Sequence, residues 1–403
     1  DLYGQDEWTA TKNLKITAGL RAAIVKFDNT ALENKAVTAM TFANGEKLNT
    51  GTMPGTQVLF EPRFGFNLNV KGTGKTQVRG GTGIFTGRPP YVFVSNQIGN
   101  NGVLTGFIDV SGTAAAGYGF TTDPNKYFIP STPTLPSTFD LALTDANYKF
   151  PQVWKNNLAV DQKLPWLGLV ASVELLYNKT INAVHYYNAN LKSPVGILAG
   201  PDNRPLYGGT DATVRVNNNV SMAAVLTNKN GAFNQSATVK LEKPISKGLW
   251  GYVAYTKANA QDYMDAGSIA SGSWQSALSV YGNNTLNLST ASNLVKNRIV
   301  GILGYRKEYG KKYGGATTVT LGYIGAQNNP FSYIVAGDLN GDRVSNNDLL
   351  YVPLNTADIR FSPLTVGTTV YTEAQQQAAF NAFINQDPYL STRRGQYAER
   401  NAL

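Results

Sequence analysis

Cysteine is absent from the 403 residues, and histidine occurs once, as His185. The first absence excludes disulfide frameworks, Cys-based zinc sites and thiol catalysis. The second removes His-dyad chemistry and most His-rich metal sites. Charge is scarce too: 15% of residues are Asp, Glu, Lys or Arg, against about a quarter in an ordinary soluble domain. No apolar run reaches the roughly 18 residues of a membrane-crossing helix. The chain opens on Asp1-Leu2-Tyr3, already strand-like and with no signal peptide, as a mature or truncated chain would.

Tyrosine (22), phenylalanine (17) and glycine (40) are plentiful. Aromatics favour pleated surfaces, and glycine suits turns and close backbone approaches. The length allows two or three ordinary domains or one large all-β unit. A net charge of +9 raises the question of nucleic acid. The lysines, however, lie at short turns, among them Lys12, Lys71, Lys75, Lys163, Lys243, Lys247, Lys311 and Lys312. Solvated turn tips explain them, and no nucleic-acid partner is expected.

A repeating unit runs through the chain: strand, short turn, strand, long polar excursion. In Leu14–Ile24 the apolar Leu14, Ile16, Ala18 and Leu20 alternate with Lys15, Thr17, Gly19 and Arg21. Phe64, Phe66, Leu68 and Val70 alternate likewise with Arg63, Gly65, Asn67 and Asn69. A period of two marks strands with one apolar and one polar face. Hairpins are expected near 2–24, 57–86, 152–179, 237–257 and 298–326, ten strands in all. An eleventh is expected to begin near Arg400. Polar loops of about 27–56, 87–150, 180–234, 258–296 and 327–392 separate them. Short turns at one end and long loops at the other fit an outer-membrane barrel, its apolar face on lipid and its polar face on a wet lumen. Trp8, Trp154, Trp166, Trp250 and Tyr252 are expected in interfacial girdles. The expected fold class is all-β: residues 1–403 as part of a transmembrane antiparallel β-barrel domain with long extracellular loops. Two open edges of this length would aggregate, so the chain is expected to be part of a larger closed sheet.

Several motifs resemble TonB-dependent outer-membrane receptors. Tyr3-Gly4-Gln5-Asp6-Glu7-Trp8 with Leu14-Lys15-Ile16-Thr17-Ala18-Gly19-Leu20-Arg21 looks like a mid-barrel hairpin of that family. Pro62-Arg63-Phe64-Gly65-Phe66-Asn67 with Thr76-Gln77-Val78-Arg79-Gly80-Gly81 resembles the next one. Phe85-Thr86-Gly87-Arg88, Asn328-Asn329-Pro330-Phe331-Ser332-Tyr333 and Arg394-Gly395-Gln396-Tyr397-Ala398-Glu399-Arg400-Asn401 are similar to the Oar-like branch. The resemblance covers essentially the whole chain. It implies a 22-stranded barrel in the bacterial outer membrane with a plug in its lumen, driven by the TonB energising complex. No plug sequence or TonB-contacting box is found among these residues.

Asp338-Leu339-Asn340-Gly341-Asp342-Arg343-Val344-Ser345-Asn346-Asn347-Asp348 spaces oxygen side chains as a compact calcium loop does. The expected Ca²⁺ ligands are Asp338, Asn340, Asp342, the backbone near Val344, and Asp348. The loop lacks the EF-hand's Gly at its sixth position and Glu at its twelfth. Asp and Asn also form such turns without metal by bonding their own backbone. Both readings stay open.

Gly72-Thr73-Gly74-Lys75-Thr76 fails as a phosphate loop, since Asn69 stands where Gly is required and a strand follows. Gly80-Gly81-Thr82-Gly83 is expected to face the lumen and leave room there. Glu373–Asn385 reads as a short loop helix capped by Thr372. His185, beside Tyr186 and Tyr187, is expected as a stacked surface histidine. Arg88, Tyr91, Arg393 and Arg394 are candidates for contacting a substrate or plug carboxylates.

The sequence offers no Ser/His/Asp grouping and no acid–base pair, so no enzyme is expected. The expected function is import of a bulky, possibly peptide-like solute. The alternative is a barrel serving as an adhesin or as a docking site for other envelope proteins, a lipoprotein among them.

Overall fold

The computed structural model describes residues 1–27, 31–88, 90–103, 112–127, 139–310 and 314–398. Its wall is an antiparallel sheet of ten long strands. In order they are Leu2–Thr11, Leu14–Val25, Gln57–Val70, Thr76–Thr86, Gln152–Lys163, Val170–Ile181, Phe233–Ser246, Leu249–Asp262, Asn297–Glu308 and Ala316–Ala326. Each pairs with the next, and a short Ser289–Thr290 strand adds to one of them. Leu2–Thr11 and Ala316–Ala326 form the two edges, so the described sheet is not closed. The strand expected near Arg400 and the turn residues Lys311 and Lys312 lie outside the described residues.

The hairpin ends are tight. Ser246 pairs with Leu249, leaving Lys247-Gly248 as a two-residue turn with φ of 50° and 86°. Positive φ at both positions matches the strands' right-handed twist, and glycine takes it without strain.

The register turns the period-two pattern into rows. Leu14, Leu68, Val78, Val160, Val173, Val239, Tyr255 and Ile299 are successive cross-strand partners across eight strands. None is buried, and Val239 is 55% exposed. One position along, the partners are Lys15, Asn67, Arg79, Ala159, Glu174, Thr238, Thr256 and Arg298. An unbroken apolar row, left uncovered and backed by a polar one, is the cross-section of a lipid-facing wall.

Trp8, Trp154 and Trp166 are exposed as girdle residues should be. Trp250 and Tyr252 are not girdle residues. They share the polar face, opposite exposed Val253 and Tyr255, because parity along Leu249–Asp262 places even positions inward.

The long loops are not merely polar excursions. Phe139–Thr144, Val220–Lys229 and Ala183–Asn188 form a second sheet with Val220–Lys229 at its centre, parallel to the first and antiparallel to the last. One core gathers Val37, Phe42, Leu141, Ala223 and Val225. Another gathers Tyr148, Phe150, Tyr186, Ala224, Leu226 and Trp274 with Ala23, Val25 and Leu59 from the wall. Those three wall residues share the polar wall face, so the loops fold into a crown seated on its loop end. Burial on both faces explains the near-continuous apolar run Val220–Leu226.

A further cluster of Val352, Ile384, Tyr389, Leu390 and Ala398 packs the last long loop. The Glu373–Gln386 helix lies there. Thr372 Oγ1 accepts from Gln375 N, and the Gln375 side chain reaches back to Thr372 N.

Candidate functional site

The sequence-chosen residues fall in separate places. Arg88 is exposed just past the Thr76–Thr86 strand. Tyr91 begins the Tyr91–Gly99 helix, and its ring meets Phe150 edge-on at 5.5 Å. Arg393 lies over the Tyr389 ring at 4.9 Å. Arg394 donates to Pro353 O and to the Asn381 and Asn385 side-chain oxygens, so its guanidinium is committed to the last loop.

The Asp338–Asp348 loop is brought together, with its oxygens engaged by protein donors. Asp338 accepts from the Gly341, Asp342 and Arg343 N–H groups. Asp342 accepts from Val344 N and from the Asn340 amide. Asp348 accepts from Leu339 N and Asn340 N on one oxygen, and from Arg204 at 3.0 Å on the other. The Tyr207 and Gly209 N–H groups donate to the loop's own carbonyls. Burial pushes the Asp342 carboxyl up to about 6, and the charges on Asp338 and Asp348 add to that effect. Among the described residues no group of three or more His, Asp or Glu side chains is placed to hold a metal ion.

His185 is a correction. It is 7% exposed, within the Ala183–Asn188 strand, and meets the Tyr263 ring edge-on at 6.3 Å. Burial, then the nearby Lys229 charge, pushes its imidazole down to about 4. The neutral ring is a core group of the crown.

A set of charged pairs lies on the wall's inner face, and the sequence reading did not single it out. Arg79 reaches Asp161 at 3.1 Å and Glu174 at 3.5 Å. Lys240 pairs with Glu242 at 2.6 Å, and Thr238 bonds Thr256 at 2.9 Å. Nearer the loops, Arg21 joins Asp1 and Glu61. Such a lattice stiffens the strands and presents hydrogen-bonding groups to the enclosed volume. Alternation marks these residues as inward. Their pairing needs a register that one strand's sequence does not contain.

The model of the outer membrane beta barrel domain family matches residues 1–337. Among solved structures the chain is similar to the FrpB iron transporter from Neisseria meningitidis, with 12% identity and a TM-score of 0.40, covering 86% of this chain and 35% of that one. It is also similar to the siderophore receptor PirA from Pseudomonas aeruginosa, with 11% identity, a TM-score of 0.33, and 80% and 47% covered. For the copper transporter OprC the identity is 10% and the TM-score 0.35, with 75% and 32% covered. The chain thus spans less than half the length of each of these structures. None of the curated proteins matches it.

Proposed function

The chain belongs to the outer membrane β-barrel domain family and sits in the bacterial outer membrane, and we propose that it is part of the wall and crown of an active importer of the TonB-dependent, Oar-like kind. The observation that carries this is the inner face, where a charged lattice backs an unbroken apolar row. A barrel serving only as an anchor needs the apolar row, not an elaborated lumen. The crown supports the same reading, because a packed lid above a polar lumen can restrict entry to a selected solute. A bulky, peptide-like solute is the proposed cargo. The proposed partners are lipid, a plug segment, the energising complex and an envelope lipoprotein over the crown. No covalent chemistry is assigned to the chain.

One test compares wild-type and deletion cells given a defined peptide mixture, with depletion followed by mass spectrometry before and after a proton uncoupler. Uptake that needs both the protein and the proton gradient supports import. Equal depletion in both strains overturns it.

A second reading, docking of another envelope protein, is favoured by the Leu364–Val366 and Thr369–Tyr371 hairpin. It leaves Leu364, Val366, Val370 and Tyr371 exposed. Loss of a co-purifying partner on deleting 364–371, with uptake intact, would identify that role.

Calcium in the Asp338–Asp348 loop is a separate proposal. It is supported by the spacing of oxygen side chains along the loop and by the nearness of the Asp338 and Asp348 charges to Asp342, a smaller influence on that carboxyl than its burial. Proteolysis near Asp342 that Ca²⁺ leaves unchanged overturns it.

A further inference from the structure

Most inward-facing cations of the wall have an acid partner, as Arg21, Arg79 and Lys240 do. Two do not. Among the described residues, Arg63 and Lys155 make no ion pair, and Arg63 Nε is buried without a hydrogen-bond partner. Register places them on one cross-strand row, Arg63 opposite Gly83 and Gly83 opposite Lys155. Two interstrand steps separate them, roughly 10 Å of backbone.

The Phe85 ring lies between the two charges, 5.7 Å from the Arg63 guanidinium carbon and 5.6 Å from Lys155 Nζ. Gly83 makes this possible: a Cβ there would stand 3.0 Å from the Phe85 ring and 3.1 Å from Arg63 Cβ. Beside them opens a trough of about 570 Å³ whose lining includes Gly65, Gly81 and the amides of Asn157 and Asn178. Bare backbone gives depth, and the amides can donate to oxygen. Phe85 meets both cations and Tyr3 meets Arg63 at 4.9 Å, but an aromatic face supplies no oxygen acceptor, and Arg63 Nε keeps its donor free.

We propose that Arg63 and Lys155, spaced by Phe85, form a lumen subsite for a carboxylate or phosphate group. A guanidinium and an ammonium flanking an amide-lined hollow match an oxyanion through charge-assisted bonds. The anion belongs either to a free organic solute or to an acidic side chain of a segment filling the lumen. The proposal rests on the inward assignment of this face and deepens the import reading by naming the chemistry selected.

The test uses the complete protein extracted from outer membranes, with citrate and inorganic phosphate as probes in calorimetry at low salt. Binding should weaken at least tenfold in Arg63→Gln and in Lys155→Gln, recover in part in Arg63→Lys, and stay unchanged in Lys12→Gln. In parallel, carbodiimide treatment and mass spectrometry ask whether Lys155 becomes joined to a carboxylate of the same polypeptide. Citrate binding without that crosslink supports a free solute. The crosslink without citrate binding supports an internal acid. Neither result, or equal citrate binding in wild type and Arg63→Gln, overturns the subsite. Proton-dependent uptake persisting alongside that last outcome would leave the import reading standing and remove the subsite alone.

Discussion

Arg204 has no exposed surface, yet its guanidinium meets Asp202 at 2.9 Å, Asp348 at 3.0 Å and the Leu349 carbonyl. It ties the 338–348 loop to the crown. Arg204→Ala would leave Asp348, itself 1% exposed, as an uncompensated buried charge. Breaking such a pair costs about 3–5 kcal/mol. The expected outcome is rapid proteolysis between 338 and 349 with the wall still heat-resistant, read by limited digestion.

His185 gives a pH signature. Its pKa of about 4 lies below the ordinary 6.5, so the unfolded chain takes up the proton first. Its contribution is complete above pH 6.5 and is lost as pH falls from there through 4, up to about 3 kcal/mol. Crown unfolding followed by tyrosine fluorescence should therefore show an acid transition in that window, and His185→Leu should flatten it. An unchanged acid limb would mean that the carboxylates control it.

At the scale of elements, helix, hairpins and wall strands were legible because each carries its own period. Thr372 was legible as the helix N-cap, the structure adds Gln375 as its reciprocal partner, and Thr372→Ala should cost about 1 kcal/mol of local helix stability, measured by hydrogen exchange over 373–386. The crown was not legible. Its central strand pairs in parallel with Phe139–Thr144, some eighty positions earlier, and Val220–Leu226 lacks alternation because both faces are covered. Trp250 and Tyr252 were misplaced for a related reason. Both stand near a strand end, but parity decides the face, and even positions of Leu249–Asp262 point inward. The unpaired Arg63 and Lys155 were hidden as well, since their shared row depends on the pairing of three strands.

The wall strands carry a sharp energetic contrast. Leu158, midway along Gln152–Lys163, is 46% exposed on the apolar face. Leu158→Arg should cost about 2–4 kcal/mol against lipid, while Thr238→Arg on the polar face should cost much less. Urea titration of refolding into vesicles distinguishes them, and equal costs would contradict the assignment of faces.

For the whole molecule, the physical claim is that one side of this sheet is solvated by hydrocarbon and the other encloses polar volume. Lid, lattice and subsite all depend on it, as does membership of a family that resides in the outer membrane. The absence of cysteine makes the chain a clean background for single labels. The decisive measurement is spin-label accessibility in native-like bilayers at the neighbouring pairs Val173→Cys and Ser172→Cys, Leu175→Cys and Glu174→Cys, and Val239→Cys and Thr238→Cys. Labels at 173, 175 and 239 should collide with dissolved oxygen and be shielded from a water-soluble nickel chelate, with neighbours at 172, 174 and 238 losing the oxygen response. Oxygen and nickel accessibilities that fail to alternate from one residue to the next would contradict the claim outright.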